Sequence, residues 1–106
     1  MVIIKQLTEK ITEEIKDSTC YGKMALEFRD SDPILAEVLH RLSIEEMNHM
    51  SMLHNEVARI IQKYQQEHGD PPAAMLAVYE WKHKEAIEAA GEAKALQNLY
   101  DQKLNP

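Results

Sequence analysis

Two short breaks interrupt an otherwise continuous helical periodicity, and they restrict the possible folds more than any other feature of the sequence. RDSDP (29–33) and HGDPP (68–72) hold three of the four prolines. Asp before Pro starts a helix, and Gly ends one. The sequence therefore predicts one all-α domain over 1–106. Its helices should cover residues 4–29, 33–67 and 72–103, and connections this short favour an antiparallel hairpin with a third long helix beside it.

Charge and composition exclude several classes of partner. The chain has 12 Lys+Arg against 18 Asp+Glu, a net charge of −6, which does not favour nucleic acid. No apolar run approaches the roughly 20 residues of a membrane span, so we expect no membrane insertion. The single cysteine, Cys20, rules out a disulfide within one chain and favours a reducing cytoplasm. We predict that this thiol is buried and inert.

The second helix carries polar residues inside its apolar stripe. In LSIEEMNHMSML (42–53), Glu46 and His49 fall on the face that apolar residues mark elsewhere. That face comprises Leu35, Leu39, Leu42, Leu53, Val57, Ile60 and Tyr64. The two polar residues lie about 60° apart around the helix axis, whereas Glu45 is about 100° from Glu46 and should face the flank or solvent. A buried carboxylate and imidazole are costly unless they are paired or bound to a metal.

The first helix repeats this arrangement. Glu14 lies within a face formed by Ile4, Leu7, Ile11, Ser18, Ala25 and Phe28. Tyr21 follows seven residues later on the same face. Its phenol could hydrogen-bond the carboxylate or a bound oxygen species, or it could be a core tyrosine that reaches a backbone carbonyl.

The third helix offers two competing acidic clusters. Glu80 with His83 forms one, and Glu92 with Glu85 two turns earlier forms the other. His83 and Glu92 lie on opposite sides, so only one can face inward. The inward face is expected to carry Glu92, because small and apolar residues share its side: Val78, Ala89, Ala93, Leu96 and Leu99. Glu80 and His83 are then expected in solvent, and Glu92 or Glu85 would be the ligand.

The remaining histidines have no partner in these stripes. His40, His54 and His68 are therefore expected at the surface or flank.

A carboxylate, a Glu-x-x-His pair and a further carboxylate on three helices describe most of a di-iron carboxylate site. Oxygen donors with one imidazole favour iron, or manganese, over structural zinc. The predicted metal ligands are Glu14, Glu46, His49 and Glu92. Glu14, Tyr21, Glu46 and His49 are the candidate catalytic residues.

These motifs carry a resemblance to a known superfamily. EIKDSTCY and DSDPILAEVLHRLSIEEMNHMSMLHNEV resemble the first two helices of ferritin-like proteins, closest to rubrerythrins and encapsulated ferritins, and AAGEAKALQNLY (89–100) resembles rubrerythrin helix 3. Rubrerythrins have a second glutamate at the position of Ala95, a fourth helix and often a four-cysteine module, and this sequence has no counterpart to these. The resemblance to encapsulated ferritins implies that a homodimer or higher oligomer completes the site between subunits.

Two functions follow from these expectations. The first is a homo-oligomer that binds iron and oxidises Fe(II) with O₂ or peroxide. The second is a non-catalytic helical interaction protein of ferritin-like shape. Its partner groove would use the methionines, which otherwise fill the core: Met24, Met47, Met50, Met52 and Met75.

Overall fold

The computed structural model describes residues 2–104, and side chains through residue 102. It contains α1 (Val2–Phe28), α2 (Pro33–His68) and α3 (Ala73–Leu104), with no strand among the described residues. The predicted all-α class is confirmed, and the observed bounds differ from the predicted ones by about two residues or fewer.

Among the described helices, none combines the length and the apolar character that a bilayer crossing requires.

Capping interactions set the boundaries of α2. The Asp32 side chain accepts a hydrogen bond from the Leu35 backbone N–H at 3.2 Å, and Pro33 is the first helical residue. At the other end, Gly69 donates its backbone N–H to the Gln65 carbonyl at 3.0 Å with φ of +81°. A positive φ favours glycine, so Gly69 can end the helix without strain.

Two apolar clusters and a polar contact between them hold the helices together. The first cluster is built on Ala25, Ala36, Leu39 and Tyr100, and the second on Ile11, Ile15 and Val57. Between them, the Ser18 hydroxyl donates to the Ser43 carbonyl, and the Ser43 hydroxyl donates to the Ser18 carbonyl, both at 2.8 Å. Gln97 of α3 donates to the Ser43 hydroxyl at 2.9 Å. These bonds satisfy two buried hydroxyls that would otherwise be costly.

The inward face of α3 agrees with the predicted one only in part, since Ala93 is buried and Ala89 and Leu96 are half-buried, whereas Val78 and Leu99 are exposed. It runs in alternating four- and three-residue steps through Tyr79, His83, Ala86, Ala90, Ala93, Gln97 and Tyr100. Val78 is 61% exposed, and Glu92 is also exposed. The expectation that His83 faces solvent is therefore wrong, since it is half-buried against α2. Apolar residues are spread almost evenly around α3, so their periodicity did not mark the face that packs.

Two other expectations about burial are corrected. His40 is only 6% exposed, with Nε2 3.1 Å from an oxygen of Asp101 and its ring stacked on Tyr100 at 4.1 Å between centroids. The end of α3 covers it, which the periodicity of α2 could not show. Cys20 is exposed, not buried, because it faces a groove beside α3 rather than the core. His68 is exposed, as expected.

Tyr100 anchors the end of α3 through its phenol. Its hydroxyl donates to Glu37 of α2 at 3.1 Å. Burial raises the pKa of this phenol, and the hydrogen bond and the negative charge of Glu37 raise it further. The tyrosine therefore stays protonated, as a donor, throughout the neutral range.

Candidate metal centre

Glu14, Glu46 and His49 converge at the contact between α1 and α2. Each offers one ligand atom, and these atoms all lie within 4.8 Å of one another. Nδ1 of His49 lies 3.6 Å from Oε2 of Glu14 and 3.7 Å from Oε2 of Glu46. The structure thus brings three of the four predicted metal ligands together.

The reciprocal serine contact explains this convergence. Ser18 lies one turn after Glu14, and Ser43 lies close to one turn before Glu46. The small serine side chains let the two helices approach closely, and their hydrogen bonds fix the register. Side chains one turn away on the facing sides then meet. The position of the cluster therefore follows from the packing of α1 on α2.

Burial differs across the cluster. The side chain of Glu14 is 13% exposed and that of Glu46 is 18% exposed, whereas His49 is 55% exposed. The centre is thus a shallow site with two carboxylates beneath a histidine that reaches solvent. This arrangement leaves coordination positions open on the outer side.

Oε2 of Glu46 is buried and has no hydrogen-bond partner. The nearest imidazole nitrogen, at 3.7 Å, is beyond hydrogen-bonding distance. A buried carboxylate oxygen without a donor carries a desolvation cost that a bound cation would remove. Within the cluster Lys10 approaches only Glu14, with Nζ 3.8 Å from Oε1, and it lies closer to Glu13, at 3.3 Å.

The distances within the cluster suit one metal ion. Ligand atoms bound at about 2.0–2.2 Å lie about 3 Å apart when adjacent and about 4.2 Å apart when opposite. The observed nitrogen-to-oxygen distances, 3.6 and 3.7 Å, fall between these values. Small rotations of the side chains would therefore bring the three donor atoms into coordination distance of one ion. A combination of two oxygens and one nitrogen suits iron or manganese.

The other predicted site residues lie elsewhere in the chain. Glu92 is exposed and lines a groove on another side of α1, together with Cys20 and Lys16. Tyr21 is half-buried and packs against the apolar cluster of Ala25 and Leu39. Among the described acidic and histidine side chains, Glu92 does not join the three-residue cluster. The roles of Glu92 as a ligand and of Tyr21 as a catalytic tyrosine stay predictions.

The other acidic alternatives on α3 do not join the cluster either. Glu85 lines the same groove as Glu92, and its carboxylate lies 3.8 Å from Lys82. Glu80 is exposed, as expected, and Glu45 of α2 is exposed beside the cluster.

Sequence reasoning missed a pair of histidines between α2 and α3. Nε2 of His54 lies 3.2 Å from Nδ1 of His83, and both side chains are partly buried. His54 lies four residues after Met50, on a different face of α2 from His49. The Glu80-x-x-His83 spacing singled out His83, but the periodicity of α3 then assigned it to the wrong side.

Comparison with known proteins gives no match: no family model fits the chain, and neither the curated proteins nor the solved structures include one similar to it.

Proposed function

We propose that this chain is a metal-binding protein that holds Fe²⁺, or alternatively Mn²⁺, at Glu14, Glu46 and His49. The observation that carries the proposal is the buried, unpartnered Oε2 of Glu46 within a converging set of donors. Two carboxylates balance the charge of a divalent ion, and the imidazole completes a donor set typical of iron and manganese.

The protein and the ion would have separate roles. An Fe²⁺ ion held by Glu14, Glu46 and His49 would supply one-electron redox chemistry toward O₂ or peroxide. The chain holds the ion at a fixed place, and the carboxylates favour the higher charge of the oxidised ion. The open outer side, beside the half-exposed His49, admits the small oxidant.

We further propose a ferritin-like arrangement in which a second copy covers this site. In this proposal α1 and α2 form an antiparallel hairpin, which is supported by contacts that pair residues in reverse order, as between Ser18 and Ser43 and then between Glu14 and His49.

Three exposed apolar residues on the same side of α2 as His49 form an interrupted stripe, with the charged Arg41 and Glu45 between them. It consists of Ile34, 82% exposed, Val38, 50% exposed, and Met52, 68% exposed.

Ile34 and Val38 lie one turn apart in this interrupted stripe, and neighbouring exposed apolar residues are typical of a contact surface. A two-fold contact along this stripe would bring the two copies of His49 toward each other and close the open side of both sites. Glu92 lies on a different groove, and this proposal does not require it.

A second candidate function is a helical interaction protein without a working metal centre. The observation that favours it is an apolar groove of about 850 Å³ between the start of α1 and the start of α3. Val2, Met75 and Val78 line this groove and are exposed. Met52 and Met75 are also too exposed to fill the core.

Solution mass and iron oxidation together separate the two functions. We expect the metal-loaded chain to contain about one iron per chain, to form a dimer or larger oligomer, and to oxidise added Fe²⁺. Val38→Lys should shift the mass to that of a monomer, because a charge in the stripe opposes the contact. The measurements are light scattering, metal analysis and the absorbance of Fe³⁺.

Val78→Lys is the matched control, since Val78 is similarly exposed but lies on α3. It should leave the mass and the oxidation rate unchanged. A chain that takes up no iron, and whose melting temperature does not respond to Fe²⁺ or Mn²⁺, would instead support the interaction protein.

A further inference from the structure

We propose that His54 and His83 form a second metal site, specific for a borderline cation that prefers imidazole nitrogen, with Zn²⁺ as the representative ion. This site lies between α2 and α3. It shares no residue with the cluster of Glu14, Glu46 and His49, the carboxylate centre. The inference does not depend on the function proposed above.

The distance between the two rings carries the argument. Nε2 of His54 and Nδ1 of His83 are 3.2 Å apart. Two nitrogens bound to one tetrahedral Zn²⁺ at about 2.0–2.1 Å are separated by about 3.3 Å. The helices therefore already hold the rings at the spacing of two ligands on one ion. The two rings are stacked, with their centroids 4.9 Å apart and their planes 27° apart, so both rings would have to turn to direct these nitrogens at one ion.

The surroundings of the pair have room for the rest of a coordination shell. Both histidines line a cavity of about 220 Å³, which could hold water molecules as the remaining ligands. Met50, one turn before His54, lines the same cavity and could offer a thioether to a softer ion.

The lysine that lines the cavity does not prevent binding of a cation. The ammonium group of Lys82 lies 3.8 Å from a carboxylate oxygen of Glu85 and 5.0 Å from the centre of the Trp81 ring. Its charge is therefore partly balanced by Glu85, and the side chain can stay turned away from the histidines.

A metal at this position would join two helices that otherwise touch little. α2 and α3 contact each other far less than α1 contacts either of them. An ion bound to one residue of each helix would stabilise the docking of α3, because it binds the folded chain and not the unfolded one. Histidine ligands must be unprotonated to bind, so the stabilisation should weaken in acid.

Titration of the full chain with Zn²⁺ tests the proposal, with the Glu46→Gln substitution present throughout to disable the carboxylate centre. We expect about one Zn²⁺ per chain by calorimetry and a rise in melting temperature. Adding His54→Ala or His83→Ala should lower the Zn²⁺ affinity at least tenfold. His68→Ala removes an exposed histidine from the end of α2 and should change nothing. Unchanged affinity in both test variants would overturn the proposal, as would absence of Zn²⁺ binding in the Glu46→Gln chain.

A second measurement needs no substitution and so does not depend on the variants folding. In ¹⁵N spectra of the histidine rings of the unsubstituted chain, Zn²⁺ should shift the signals of His54 and His83 together. A response of His49 alone would mean that the two rings are only hydrogen-bonded to each other, and it would overturn the second site. Because the Glu46→Gln titration excludes the carboxylate centre, either proposal can fail without the other.

Discussion

Glu46→Gln is expected to abolish tight binding of Fe²⁺ and Mn²⁺. The substitution keeps the shape of the side chain but removes the charge from a buried oxygen that has no hydrogen-bond partner. Loss of one of three protein ligands should weaken binding on the order of 100-fold, or about 2.7 kcal/mol. Calorimetric titration with Mn²⁺, which does not oxidise during the measurement, gives the affinity directly.

The stability of the metal-free variant separates a role in binding from a role in folding. The Glu46 carboxylate is buried without a donor, and its contact with the exposed His49 ring is long, at 3.7 Å. Its charge therefore costs free energy when no ion is bound. Metal-free Glu46→Gln should unfold at the same temperature as the unsubstituted chain or at a higher one.

Glu45→Gln is the matched control for this experiment. It removes the same charge from the neighbouring residue, which is exposed and outside the cluster. We expect unchanged metal affinity in this variant. Equal losses of metal affinity in Glu45→Gln and Glu46→Gln would show that the net charge of the surface attracts the ion, and that no site is built around Glu46.

Of the substitutions proposed for this chain, Gly22→Leu is expected to cause the largest loss of folding stability. A Cβ atom at Gly22 would lie 3.2 Å from Cβ of Leu96 and 3.4 Å from the hydroxyl oxygen of Ser43. The larger leucine must push α1 away from its neighbours, and such overpacking should cost about 3 kcal/mol. For a chain of this size the melting temperature should fall by at least about 10 °C.

The same substitution should also weaken metal binding, since the contact between Ser18 and Ser43 fixes the distance between Glu14 and His49. Gly91→Leu provides the comparison, because a Cβ at Gly91 on α3 meets nothing within 4 Å. That variant should be slightly more stable, by less than about 1 kcal/mol, since glycine is a poor helix former. A similar change in stability at the two glycines would contradict the close packing of α1.

The carboxylate centre could be predicted from the sequence because α1 and α2 each have one clear apolar face. Glu14, Glu46 and His49 interrupt those faces, and the packing of the faces brings them together. The start of α2 at Asp32 and its end at Gly69 could also be predicted from the sequence, since each residue supplies a cap that few other residues can. For α1 and α2, the burial of one apolar face explains both the pattern of residues in the sequence and the packing of the two helices.

The contacts of α3 could not be predicted in this way. Its packed face combines small residues with polar ones, and Gln97 and His83 are half-buried there because they find partners on other helices. Those partners lie far away in sequence, so no local pattern reveals them. His40 shows the same limit, because its burial depends on the end of α3 reaching across α2.

A crystal structure of the chain soaked with Fe²⁺ without oxygen, with anomalous data collected at the iron edge, tests the central claim most directly. We predict an anomalous peak that places an iron ion between the three side chains. The ion should be coordinated by a carboxylate oxygen of Glu14, a carboxylate oxygen of Glu46 and Nδ1 of His49, each at about 2.0–2.3 Å. An iron peak bound elsewhere, with the Glu46 oxygen still unpartnered, would contradict the account.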